Sequence, residues 1–135
     1  MNEKIIVYDG KNFTLGRLSS NVAKKVLLGN KVVIVNCDAV VVTGKRRTTI
    51  DDYKAKRQLG SASLHGPFFP KEPRKVVKRT IRGMLSHRQG RGKDALKRVK
   101  CYNDVPEEFA KMEMVKDTGK KNAKVMKLKE LEVEI

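Results

Sequence analysis

Residues 32–42 read VVIVNCDAVVV, two runs of Val and Ile separated by Asn36-Cys37-Asp38-Ala39. A strand with one wet face alternates apolar and polar residues. These runs do not alternate, and unbroken apolar runs suit strands buried on both faces, as in a parallel sheet covered by helices. Upstream, Ile5-Ile6-Val7-Tyr8 is a short β-rich run closed by the turn signal Asp9-Gly10. Between it and Val32, residues Leu15, Leu18, Val22 and Val26 recur at helical spacing. Ala23 and Leu27 lie beside them, Lys24 and Lys25 on the other side, and Gly29-Asn30 supplies a stop. Strand, helix, strand in this order predicts a right-handed parallel crossover.

Downstream, Gly44 opens the basic segment Lys45-Arg46-Arg47, and a helix-compatible stretch follows through Arg57. Residues 58–73, QLGSASLHGPFFPKEP, hold three prolines and two glycines without periodicity, which predicts a long loop. Pro73 suits the first turn of a helix. Val77, Ile81, Met84 and Leu85 then form an apolar stripe, with Lys75, Lys78, Arg79 and Arg82 largely off it. A short helix around Ala95 and Leu96 leads to a candidate strand at Val99 to Tyr102. Near the end, Val125, Leu128 and Leu131 fit a helical stripe, whereas Leu131, Val133 and Ile135 alternate like a strand, and the pattern leaves both open. The 135 residues, 39% hydrophobic, fit one domain. Residues 1–110 are expected to form a single α/β domain. Residues 111–135 are expected to form a C-terminal extension, packed on it or peripheral.

Charge is distributed unevenly. Residues 71–100 carry twelve Lys or Arg against Glu72 and Asp94, a net of +10 within a whole-chain +16. From Cys101 onward there are seven basic residues and eight acids. A surface helix normally intersperses Glu at spacings that pair with Lys, and Glu is absent from Pro73 to Lys100. So dense a cluster repels itself in water. A polyanion relieves the repulsion and releases its own counterions, which points to a nucleic acid backbone as partner. Arg79, Arg82, Arg88 and Arg91 are the leading candidates for phosphate contacts, by bidentate hydrogen bonding. Lys71, Arg74, Lys75, Lys78, Lys93, Arg98 and Lys100 belong to the same cluster. His87 is a candidate donor to phosphate or sugar, and Lys45, Arg46, Arg47 and Arg57 form a second patch. Arg17 has two uses, an RNA contact or an ion pair at the start of its helix. Phe68 and Phe69, in the loop between the basic segments, either stack on unpaired bases or bury themselves against the core. Burial is the usual fate of aromatic side chains and is expected here.

Other chemistry is hard to assemble. Residues 39–45, AVVVTGK, end like a phosphate-binding loop, but Ala39 replaces the first glycine and Arg46 stands where a magnesium-binding Ser or Thr belongs. Gly90-Arg-Gly92-Lys-Asp-Ala95 fits the dinucleotide glycine pattern formally, without a preceding β-rich run. His65 and His87 have no metal ligand at a useful spacing, and Asp9, Asp38, Asp51 and Asp52 are the only weak carboxylate set for a nuclease. Cys37 and Cys101 sit in apolar runs and read as buried thiols of a reducing compartment. The N-terminal hydrophobic run is too short for a secretory signal, and no stretch approaches the roughly twenty apolar residues of a membrane span. A cytosolic protein without cofactor or metal is expected. The rivals to a structural RNA binder are an RNA-processing enzyme with a basic channel and a DNA-compacting protein.

The chain closely resembles the universal large-subunit ribosomal protein thirteen (L-thirteen) family, in its archaeal and eukaryotic form. The resemblance runs over roughly residues 4 to 109. It rests on Asp9-Gly10, Leu15-Gly16-Arg17-Leu18, Val22-Ala23-Lys24, the strand from Lys31, and Val42-Thr43-Gly44. It continues through Gly66-Pro67-Phe68, Pro73, the specific string Arg79-Thr80-Ile81-Arg82-Gly83-Met84-Leu85, His87, Arg91-Gly92, Ala95-Leu96 and Arg98-Val99-Lys100. Ser86 stands where the family usually has Pro. The resemblance implies a three-layer α/β/α domain around a four-stranded, mainly parallel sheet. It also implies residence in the cytoplasmic ribosome, binding to large-subunit ribosomal RNA beside neighbouring large-subunit proteins, an early role in assembly, and no enzymatic activity.

Overall fold

A computed structural model describes residues 5–58, 69–116 and 124–135. Strand β1 (Ile5–Asp9) leads into helix α1 (Leu15–Leu27) and strand β2 (Lys31–Val35). A 3₁₀ turn at Cys37–Ala39 precedes β3 (Val41–Thr43) and α2 (Arg46–Gln58). Then come α3 (Pro73–Met84), α4 (Gly90–Lys97), β4 (Val99–Cys101), the one-turn α5 (Glu107–Ala110), β5 (Met114–Val115), β6 (Val125–Lys127) and α6 (Leu128–Glu134). The main sheet has four strands in the order β4-β2-β1-β5, and every pairing in it is parallel. This is the α/β architecture with a four-stranded, mainly parallel sheet that the family resemblance implies.

The two faces of the sheet are covered unequally. Tyr8, Val32 and Ile34 point into the large core, where they meet Leu18, Val22 and Val26 of α1, Val77 and Ile81 of α3, and Ala95 of α4. On the opposite face Val7, Val33 and Val35 form a smaller cluster, covered by Tyr102, Val105, Phe109 and Met114. Among the described residues, that third layer is therefore little more than α5 and the chain on either side of it.

One strand assignment is corrected. Val40 and Val41 are buried and Val42 half-buried, but β3 lies outside the parallel sheet and pairs antiparallel with β6, Val42 opposite Met126. The remaining place in the main sheet goes to β5, a two-residue edge strand beside Val7 and Tyr8. The cause is local geometry after β2. Asn36 adopts a left-handed conformation (φ 56°), and the 3₁₀ turn redirects the chain. Gly10 sits in the resulting corner, where an added Cβ would lie 2.7 Å from Val40 Cγ2 and 2.9 Å from the Asn36 carbonyl oxygen. The C-terminal ambiguity resolves with Leu128 and Leu131 buried on a helix and Val133 78% exposed. The two predicted helix stripes are buried except at their margins. Leu27 is half exposed, and on α3 Val76 is buried where Met84 is not. Leu85 leaves the helix in an extended conformation and takes the inward place that Met84 would have filled.

Candidate nucleic-acid interface

Helix α3 builds the centre of the basic surface. Pro73 occupies its first turn, where a missing N–H costs nothing. The next orphan donor, Arg74 N–H, bonds to Asn103 Oδ1 at 3.0 Å, and Asn103 Nδ2 donates in turn to Glu72 Oε1 at 3.1 Å. The loop after β4 thus fixes the start of α3, a tie that no local sequence signal announces. Glu72 also accepts from Arg74 Nε and lies 3.8 Å from Lys75 Nζ. The hydrogen bond from Arg74 is the main reason its carboxyl is held below the ordinary range.

Beyond that turn the two sides of α3 divide cleanly. Val76, Val77 and Ile81 are essentially inaccessible, while Arg74, Lys75 and Arg82 are exposed. Lys78 and Arg79 are half-buried. Lys78 Nζ donates to the Val99 carbonyl on edge strand β4 at 3.2 Å. The Arg79 guanidinium lies 5.1 Å from the Phe69 ring centre, and Phe69 packs edge-on against Tyr53 at 5.4 Å. Lys56 approaches the same two rings. Phe69 is accordingly packed against the core, as expected, with cations over it. Phe68 and His65 lie outside the described residues. Between Pro70, Lys75, Lys78, Arg79, Arg82 and Leu96 runs an open cleft of about 350 Å³, with cationic walls and a partly apolar floor.

The turn from α3 to α4 extends this surface. His87 N–H bonds to the Leu85 carbonyl at 2.8 Å and Gln89 N–H to the Ser86 carbonyl at 3.0 Å. Gly92 of α4 presses on that turn so closely that an added Cβ would stand 1.9 Å from the Ser86 oxygen. Of the glycine pair at 90 and 92, Gly92 therefore serves packing, while Gly90 has open space around it. His87 is half-buried in the turn, and Arg88, Arg91 and Lys93 are exposed around it. Among the described residues, Arg82, Arg88, Arg91, Lys93 and Lys100 have no carboxylate within ion-pair distance. Lys71 is exposed just before α3.

Other sequence candidates have partners within the fold. Arg98 Nη1 donates to the Val26 carbonyl at 2.9 Å, satisfying an orphan acceptor at the end of α1. In the second patch, Arg46 reaches Glu130 and Glu134 of α6, each at 3.4 Å, and Arg57 donates to the Ile135 backbone oxygen at 2.7 Å. Lys45 and Arg47 remain exposed beside them. Arg17 is exposed in the first turn of α1, which contains no acid, so the helix-start ion pair finds no partner among the described residues.

The weak carboxylate set does not gather. Asp9 Oδ1 accepts from Lys11 N–H and Asn36 Nδ2, both at 3.0 Å, and so stabilises the turns around it. Among the described residues no three His, Cys, Asp or Glu side chains form a metal-binding group. Both cysteines are free thiols. A hydrogen bond with Cys101, then burial, pushes the Cys37 thiol far up, so it stays protonated. Cys101 is half-buried.

Comparison with known proteins agrees with this picture. The family model described as Ribosomal protein L13 matches residues 3–108. The large ribosomal subunit protein uL13 of Methanococcoides burtonii is 42% identical over 113 residues, covering 84% of this chain and 81% of its own. Its counterpart from Methanosarcina barkeri is 44% identical over 110 residues, covering 81% and 78%. That from Archaeoglobus fulgidus is 40% identical over 116 residues, covering 86% and 74%. A parallel α/β core carrying a cation-faced helix, matched by a family model over most of its length, places the chain in the ribosomal protein L13 family of the large subunit.

Proposed function

We propose that this protein binds large-subunit ribosomal RNA as a structural component of the cytoplasmic ribosome and supports assembly of the subunit. Residues 1–110 form the RNA-binding domain in this reading, and residues 111–135 pack onto it as an extension. The observation that carries it is the pairing of faces on α3. One side is anchored in the core, and the other continues through the α3–α4 turn to Arg82, Arg88, Arg91 and Lys93, exposed cations with no carboxylate partner among the described residues. Arg82, Arg88 and Arg91 contact phosphates first, with His87, Lys93, Lys71, Arg74, Lys75, Lys78, Arg79 and Lys100 around them. Arg17, Lys45 and Arg47 supply contacts at the periphery. Arg46, Arg57 and Arg98 contribute mainly by holding the scaffold, because each already has an internal acceptor. Recognition is of RNA shape and backbone. Neighbouring large-subunit proteins are the remaining partners, and we assign no enzymatic role and no cofactor.

Salt titration of binding to a large-subunit RNA fragment tests this. Each phosphate contact contributes about 0.7–0.9 to the slope of log affinity against log salt. Replacing Arg82 and Arg91 together by Ala should lower the slope by about 1.4 to 1.8. A slope equal to that of the unmodified protein would remove both residues from the interface.

A further inference from the structure

The thinly covered face of the sheet carries a second basic concavity. It has a volume of about 500 Å³, with Lys31, Lys97, Arg98 and Lys100 on its walls and Val33 in its floor. Tyr102 and Phe109 line one side, their ring centres 6.0 Å apart and their planes inclined by 38°. Glu108 is the single acid among its described lining residues. The strand register explains the placement. Val33 is paired with Lys100, so the two side chains stand next to each other on the outer face, while Val32 and Ile34 turn inward to α1 and α3.

This groove is connected to the α3 surface. Lys100 and Tyr102 also line a hollow of about 260 Å³ with Arg74, Lys75, Lys78 and Cys101, around the edge of β4. Cations thus extend from the outward side of α3, over the β4 edge of the sheet, to its opposite face. An apolar floor, half-buried aromatic rings and the exposed Lys97 and Lys100 on the rim match a nucleotide: base on ring, phosphate on ammonium. An acidic peptide would satisfy the charge and leave the rings unused.

From this we infer that the groove between β2, β4 and α5 receives an unpaired nucleotide of the bound RNA, its base against Phe109 and Tyr102 and its phosphate on Lys31, Lys97 and Lys100. The inference rests on the RNA-binding reading above. It adds a second contact surface on the far side of the sheet, so that one molecule grips the RNA strand from both faces.

The test uses the full chain and two fluorescently labelled single-stranded oligoribonucleotides of equal length and charge, one complete and one with abasic positions in its centre. The unmodified protein should bind the complete strand about tenfold more tightly, as expected for one stacked base. Phe109→Leu keeps apolar bulk over Val33 and Val35 and removes the ring. It should abolish that preference without altering the salt slope. Lys97→Glu should weaken binding of both strands. Arg82→Ala should lower the slope and preserve the preference. No binding of either strand by the unmodified protein would refute RNA binding itself. Binding with the preference intact in a folded Phe109→Leu protein would overturn the groove and leave the α3 surface standing. Capture of an acidic peptide, in place of the base preference, would also overturn it.

Discussion

Gly90 and Gly92 stand two residues apart in the same helix, and the structure assigns them opposite sensitivities. A Cβ at Gly92 would lie 1.9 Å from the Ser86 oxygen, 2.2 Å from its carbonyl carbon and 2.9 Å from His87 N. An ordinary C···O contact needs about 3.3 Å, so the turn between α3 and α4 would have to move by more than about 1 Å. All three atoms are backbone, and the turn is held by the Leu85–His87 and Ser86–Gln89 hydrogen bonds. Overpacking costs about 1–3 kcal/mol, and this contact belongs at the upper end. Against that, Ala gains up to about 1 kcal/mol over Gly in a helix. The net expectation for Gly92→Ala is a loss of about 2 kcal/mol, or about 8 °C in melting temperature for a chain of this size. Gly90→Ala meets nothing within 4 Å and keeps only the propensity gain. It should melt at or slightly above the unmodified protein. Because the displaced turn carries His87 and Arg88, Gly92→Ala should also weaken RNA binding more than Gly90→Ala does. Thermal melts followed by circular dichroism, with filter binding of an RNA fragment, decide the matter. Equal melting temperatures for the two variants would refute the packing argument.

Further expectations concern the core and the titrating groups. Ile81→Asp places a carboxylate without a partner at a position with no solvent exposure and should abolish cooperative melting, whereas a normal transition would put α3 on the wrong face. The raised Cys37 thiol stabilises the fold below the ordinary thiol range, near pH 8.5. Above it the unfolded chain ionises and the folded one does not, so stability should fall by about 1.4 kcal/mol per pH unit from this group. Cys37→Ala should flatten that alkaline slope in urea titrations, and parallel slopes would contradict the assignment. Tyr8 and Tyr53, whose hydroxyls are pushed up by burial, should add a further loss above about pH 10. Arg46 and Glu130 are roughly half exposed, so a double-mutant cycle between them should yield less than about 1 kcal/mol. A larger coupling would make the α2–α6 contact a principal support of the fold.

Local pattern was enough wherever a segment's neighbours decide its state. The crossover from β1 through α1 to β2 was legible because both strands are apolar on each face and the helix repeats its stripe over three turns. The basic side of α3 was legible because charge density does not depend on tertiary detail. What the pattern did not reveal depends on residues far away in the chain. Val40 to Val42 reads the same whether its partner is a parallel neighbour or β6, and the partner lies more than eighty residues on. A two-residue edge strand such as β5 has no periodicity to detect. Arg46 and Arg98 resemble the other cations in sequence, and only the fold brings Glu130 and the Val26 carbonyl to them. The aromatic groove stayed hidden for the same reason. Lys31, Lys100 and Phe109 are strangers in sequence and neighbours only through strand register and the position of α5.

The unequal covering of the sheet and the placement of charge follow from one constraint. A chain of 135 residues with 31 Lys or Arg has few apolar side chains to spare. It concentrates them between one sheet face and α1, α3 and α4, where Leu18, Val22, Val77 and Ile81 are fully buried. A helix that docks so firmly on one side can hold a row of cations on the other, because the docking energy outweighs their mutual repulsion, which salt reduces at separations near the Debye length of about 8 Å. Among the described residues, the opposite sheet face is covered by α5 and the chain on either side of it, with lysines at the margin of β2 and β4. In a free protein the row of exposed cations on α3 and the α3–α4 turn is a weakness, since like charges repel one another. Against a polyanion it becomes an asset, because the cations release counterions from phosphate. The features that make the isolated fold least self-sufficient are therefore the ones a polyanionic partner completes.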